Sequence, residues 1–224
     1  MMGRFKKISR VFNTLRYLRF EQFWYRGLYK VKKVRESRLN IGEALDWQWD
    51  GACINQQSLF PDFKVKYLNR SGKVEEKEDW NCSSQTKLWL YNLHYFDDLS
   101  SRDSENRREI QREFIEAWIA QNPFGHGNGW EPYPISLRLV NWIKWASLQN
   151  KIEDSWLRSI AHQAHALSQQ LEYHILGNHL FANAKALVFA GSFLTGKDAD
   201  NFLKLGIEIL DRELAEQFLE DGAH

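Results

Sequence analysis

From about residue 103 onward the chain repeats one pattern: apolar residues return at three- and four-residue intervals through successive stretches separated by short breaks. The stretches run roughly over 103–121, 134–150, 154–175, 179–194 and 198–219. A 3.6-residue period buries one stripe of each helix, so helices joined by such short breaks fold back on one another as antiparallel hairpins. Asp154 or Ser155 is placed to cap the third helix, Gly196 separates the fourth from the fifth, and Asp198 is placed to cap the fifth. Repeated hairpins close into a ring or stack as a solenoid, and no strict sequence repeat favours the solenoid. The expected fold class is mainly α.

The chain before this array reads differently. Residues 1–38 carry twelve Lys and Arg against Glu21 and Glu36, a net charge of +10. Phe12, Leu15, Leu18, Tyr25, Leu28 and Tyr29 recur at roughly helical spacing, which predicts a basic amphipathic helical segment. It either docks on the domain with its charges in water or makes peripheral contact with an anionic membrane or substrate. Charged residues interrupt every apolar stretch, so this is not a signal peptide. Residues 39–86 lose the helical period and read as a loop-rich connector with a few short strands, such as the alternating run from Phe63 to Leu68. Asn69-Arg70-Ser71-Gly72 has the composition of a hairpin turn. Residues 87–224 then form the helical domain, opening on the aromatic-rich run Lys87 to Leu99.

Several function classes are disfavoured. The 30 Lys and Arg nearly cancel the 29 Asp and Glu, so the whole-chain charge gives no sign of a nucleic-acid partner. Cys53 and Cys82 allow one bridge at most and form no CxxC pair. His162 and His165 lack a neighbouring carboxylate motif and read as structural, so no metal and no cofactor is expected. No apolar run approaches the roughly 18 residues of a membrane span. Ten Trp, eight Tyr and 14 Phe remain, serving either as core filling or as platforms for sugar rings.

Two polar concentrations stand out. Asn122 to Pro134 alternates three glycines with polar residues and ends in Trp130, Glu131, Pro132, Tyr133 and Pro134, the composition of a rigid-ended functional loop. It lacks the order of a phosphate-binding loop, and no strand precedes it as a dinucleotide fingerprint requires. Arg138 lies one turn into the next helix, where it points back to the loop or serves as an ordinary ion-pair residue. The second concentration runs from Glu172 to Asn183. Gly177 and Asn178 break one helix, so Asn178 and His179 occupy the start of the next, where free backbone N–H groups attract an anion. The competing reading has Asn178 as a helix cap and His179 as a satisfied core residue.

Three segments together, Leu88 to Tyr95, Gly129 to Trp142 and Gly177 to Leu187, resemble the heparinase II/III-like polysaccharide lyases over roughly Lys87 to His224. The resemblance implies an incomplete α/α toroid of antiparallel helical hairpins, paired in the family with a C-terminal β-sandwich. It implies an acidic, uronate-containing polysaccharide as substrate, with heparan, alginate and bacterial capsular chains all offering the same carboxylate. The family cleaves by β-elimination: the C5 proton beside the carboxylate is removed and the oxygen on C4 is expelled. On that scheme Asn178 and His179 take the catalytic role of countering the carboxylate charge. Arg138, Trp130, Glu131, Tyr133, Tyr91 and His94 line the cleft as substrate-binding residues. Glu220 to His224 resembles the lead-in to a segment bearing a catalytic tyrosine, so no turnover is expected from these 224 residues alone. The alternative reading is a non-catalytic helical scaffold or carbohydrate-binding module whose basic N-terminus contacts a membrane or partner. Exposure of Trp130, Tyr133, Arg138, Asn178 and His179 on one concave surface discriminates the two.

Overall fold

The computed structural model describes residues 20–218 with the exception of Lys32. Among these residues lie seven α-helices and a three-stranded antiparallel sheet: a mainly helical protein with a few short strands. The helices are α1 (Phe20–Val31), α2 (Lys87–Tyr95), α3 (Arg108–Gln121), α4 (Pro132–Ala146), α5 (Asp154–Ser168), α6 (Gly177–Phe193) and α7 (Lys197–Gln217). Phe12, Leu15 and Leu18 of the expected N-terminal amphipathic segment lie outside the described residues.

The five-stretch pattern maps onto α3 to α7, with differences at the ends. Pro132 starts α4 two residues early, because a proline tolerates the first turn, where its missing N–H is not needed. Helix α5 stops at Ser168 and not near residue 175. Apolar spacing continues past that point because Leu171 and Leu176 still pack, against Leu180 and Ile209, from a non-helical turn. Glu153, one residue before the expected pair, caps α5 without a side-chain bond. Gly196 precedes α7 at φ 105 as a break, but Asp198 does not cap that helix with its side chain. Its carboxylate instead accepts the backbone N–H of Asn40 at 2.6 Å, tying the connector to the α6–α7 turn.

Strand β1 is Leu59–Phe60, β2 is Lys64–Tyr67 and β3 is Arg70–Lys73, with Tyr67 paired to Arg70. The tight turn is therefore Leu68-Asn69, both at positive φ, and not Asn69 to Gly72, which lies largely within β3. Two 3-10 turns, Pro61–Phe63 and Lys77–Asn81, interrupt the connector, and its first part lies against the α6–α7 turn. Gly42 and Leu45 donate backbone hydrogen bonds to Thr195 and Phe193 at 2.7 and 2.8 Å. His165 bonds Ser37 and the Arg35 carbonyl, in keeping with a structural role. Cys53 and Cys82 are both free thiols.

Side-chain pairings give the helix directions. Trp145 bonds Gln111 and packs on Trp156, while Arg138 bonds Gln163, so α3 and α5 both run antiparallel to α4. Asn183 bonds Ser136 and His179 packs on Tyr133, so α6 runs parallel to α4. Helix α7 returns antiparallel to α6, close enough that a Cβ on Gly206 would sit 2.8 Å from the Ala184 carbonyl. The core between these helices holds Trp118, Trp142, Ile135, Leu139, Ile143 and Leu187, each at most 2 % exposed. Each such side chain contributes about 1.5–3 kcal/mol on burial. The functional consequence of the topology is that α4 and α6 begin at the same end of the bundle.

Candidate functional site at the shared end of two parallel helices

The N-terminal turns of α4 and α6 bring the two polar segments of the sequence together. Tyr133, in the first turn of α4, lies 4.3 Å from the His179 ring in the first turn of α6, centroid to centroid and tilted by 36°. Tyr95, at the end of α2, meets Tyr133 edge-on at 6.0 Å. Beside them the Tyr91 hydroxyl donates a short hydrogen bond to Glu131, whose carboxylate also pairs with Lys87 at 2.8 Å. Asn178 is exposed, and among the described residues no hydrogen bond engages its side chain. The residue that caps α6 is Leu176, without a side-chain bond, so Asn178 lies in the first turn and is not the cap. Leu176 itself holds φ 64 and ψ −163, a region natural to glycine, and its backbone N–H is anchored on the Glu172 carbonyl.

Of the five residues whose shared exposure separates the two readings, Tyr133, Asn178 and His179 reach the surface, whereas Arg138 and Trp130 lie with His94 in a buried layer behind it. Arg138 is 0 % exposed. Its guanidinium donates to Gln163 at 2.8 Å, to the His94 carbonyl at 3.2 Å and to the Gly129 carbonyl at 2.7 Å, and it stacks on Trp118 at 3.9 Å. The expectation that Arg138 meets an anionic sugar is corrected accordingly. Neutral acceptors and an aromatic face satisfy the desolvated cation, and its pKa is pushed well below the usual value by burial. His94 is also 0 % exposed, with Nε2 against the Trp80 carbonyl at 2.9 Å and Nδ1 accepting from the Trp118 indole at 3.0 Å. Burial first, then the Arg138 charge, lowers its pKa to about 3. It is thus a neutral Nε2–H core imidazole and not part of a cleft lining. Trp130 is 6 % exposed, with its indole N–H on the Asn122 carbonyl. Arg138, His94 and Trp130 instead hold the loop from Asn122 to Glu131 in shape.

The sequence pattern does not mark Glu172 as part of the site. Glu172, only 5 % exposed, accepts Nδ1 of His179 at 3.0 Å on one carboxylate oxygen and Nδ2 of Asn183 at 3.0 Å on the other. Burial pushes its carboxyl up, while Asn183 and His179 draw it back. The only sequence signal was its place in the same polar run as His179 and Asn183.

A concavity of about 540 Å³ lies across the Trp130 loop and not at His179, lined by Tyr25, Phe124, His126, Trp130, Gln169 and Tyr173 among others. Among the described residues no cluster of three or more His, Cys, Asp or Glu is placed to hold a metal ion, and no helix is long and apolar enough to cross a membrane. The family model described as Heparinase II/III N-terminus matches residues 23–224. No curated protein and no solved structure matches the chain.

Proposed function

The chain belongs to the heparinase II/III N-terminal family, and from that membership we propose that it is the helical, substrate-binding portion of a polysaccharide lyase acting on a uronate-containing polysaccharide. The observation that carries this reading is the convergence of two helix N-termini on one surface, with Asn178 exposed and His179 packed on Tyr133. Helix α6 presents unpaired backbone N–H groups and the positive end of its dipole, while α4, whose first turn holds Pro132 and Pro134, adds chiefly its dipole, and the two side by side attract a carboxylate.

In β-elimination the C5 proton is only weakly acidic while the neighbouring carboxylate keeps its full charge. A donor that strengthens its hydrogen bond as enolate charge develops lowers the barrier, and one such donor is typically worth about 10²–10³ in rate. The Asn178 amide N–H takes that part, while His179 accepts a hydrogen bond from a sugar hydroxyl beside it and the Tyr133 ring forms a flat wall against the sugar. Tyr91 and Glu131 border the same surface and orient hydroxyl groups. Arg138, His94 and Trp130 act from behind, by fixing the loop that carries Glu131.

The test is a titration of the ¹⁵N-labelled chain with an oligouronate and with its methyl ester. Binding of the acid should shift the Asn178 side-chain amide and the His179 ring. The neutral ester should bind about tenfold or more weakly, the loss of one hydrogen bond to a charged group. Equal affinity for both, or shifts confined to the groove beyond Trp130, would overturn the reading.

A further inference from the structure

We infer that Glu172 is a positioning residue for His179, holding its imidazole with the hydrogen on Nδ1 and Nε2 turned to the ligand side; the value of this to a substrate rests on the carboxylate-binding reading above.

The inference follows from a chain of hydrogen bonds whose donor roles are fixed from one end. The Ser136 hydroxyl donates to the Pro132 carbonyl at 2.9 Å, so its oxygen accepts from Asn183 Nδ2 at 3.0 Å. Asn183 is 0 % exposed, and its amide orientation is set independently because its Oδ1 accepts the Glu172 backbone N–H at 2.9 Å. Its Nδ2 also donates to Oε2 of Glu172 at 3.0 Å, leaving Oε1 for His179 Nδ1. An ionised carboxylate only accepts, so Nδ1 must bring the hydrogen. Among the described residues no hydrogen bond occupies Nε2, and about a third of the His179 side chain (36 %) is open to solvent. The relay thus runs from the first turn of α4, through the core side of α6, to the turn before α6. It fixes the ring that those two helices share.

Glu172→Gln makes the inference sharp, because the replacement is isosteric but its two terminal atoms differ. Asn183 Nδ2 demands an oxygen, so the new amide must place its own NH₂ against His179. Nδ1 then becomes the acceptor, and the ring hydrogen moves to Nε2. The measurement is the ring ¹⁵N pattern of His179 in the free chain, at a pH where the ring is neutral. The wild-type chain should show protonated Nδ1 and bare Nε2, and Glu172→Gln the reverse. A wild-type ring with its hydrogen on Nε2 would overturn the inference, even if the variant failed to fold.

A second readout tests whether Glu172 acts through His179 and not merely on the fold. Oligouronate affinity should fall about threefold to tenfold in Glu172→Gln, because Nε2 then carries the hydrogen and no longer accepts one from a sugar hydroxyl, the loss of one neutral hydrogen bond. The double variant Glu172→Gln/His179→Ala should bind no more weakly than His179→Ala alone. Additive losses would overturn the positioning role. The tautomer is read without ligand, so failure of the wild-type chain to bind any oligouronate would remove the proposed function while leaving the ring assignment standing.

Discussion

Tyr133 and His179 stand ring against ring at 4.3 Å although they open two different helices. The contact exists because α4 and α6 run parallel, with α5 returning between them in the chain. It places two helix N-termini, an exposed amide and a half-open imidazole on one surface, and backs that surface with a core that includes a buried arginine. The surface meets the ligand and the buried layer holds it in shape, so substitutions in the two layers should have separable effects.

Arg138 is the strongest case in the buried layer. Arg138→Ala removes the donor to Gln163 and to the carbonyls of His94 and Gly129 at once, and exposes the Trp118 face to a cavity. Each buried acceptor left without a donor costs about 1–3 kcal/mol, so the loss of stability should reach about 3 kcal/mol or more. Chemical denaturation checks this. A variant of wild-type stability that fails only in oligouronate binding would mean that the guanidinium meets the sugar after all.

Gly129 tests the same layer from the loop side. A Cβ there would lie 2.6 Å from Nδ1 of His94, the atom that accepts the Trp118 indole hydrogen. Gly129→Ala should therefore displace the imidazole and cost about 1–3 kcal/mol, as overpacked cores do. The accompanying sign is a shifted Trp118 indole N–H resonance; an unshifted resonance at wild-type stability would show that the loop yields instead.

His94 gives a pH dependence with a definite sign. Its pKa in the fold is about 3 against 6.5 when free, so the unfolded chain binds its proton first. The stability that this group supports is fully present above pH 6.5 and is lost as pH falls toward 3, by up to about 1.4 kcal/mol per pH unit. The raised carboxyls of Glu172 and Asp97 act in the opposite direction, so the comparison must be made between variants. His94→Gln keeps a donor for Trp80 and an acceptor for Trp118 but cannot charge. Its stability deficit relative to wild type should shrink between pH 7.5 and 4.5 in denaturant titrations, and a constant gap would mean that the ring is charged or solvated in the fold.

The helices were legible because burying one stripe writes itself into apolar spacing, and α3, α4, α6 and α7 appear close to where that spacing puts them. The end of α5 was not legible: Leu171 and Leu176 stay apolar to pack on Leu180, although the backbone between them has turned. The site was half legible for a related reason. Asn178 and His179 advertise themselves by following a glycine break, which is a local event. The burial of Arg138 depends on acceptors supplied by α2, the Gly129 loop and α5, and nothing within one turn of Arg138 announces them. Glu172 was equally hidden, since its role is set by Asn183 folding back over the turn.

Asn178 separates fold from ligand most cleanly. It occupies the first turn of α6 without capping it and is exposed, so Asn178→Ala should change stability by no more than about 0.5 kcal/mol. Asn178→Asp should be neutral or stabilising by about 0.3–1 kcal/mol, because a negative charge at a helix N-terminus opposes the positive end of the dipole. The two variants should rank the other way in function. Alanine removes one donor from the carboxylate, whereas aspartate sets a second negative charge against it, and a like-charge juxtaposition of that kind costs several kcal/mol. The measurements are melting temperature and oligouronate affinity for the same three chains. Affinity should fall from wild type to Asn178→Ala and again, by about tenfold or more, to Asn178→Asp, while melting temperature stays level or rises. If Asn178→Asp bound the uronate as well as wild type does, the carboxylate would not lie at Asn178, and the shared end of α4 and α6 would have to receive the sugar through its hydroxyl groups.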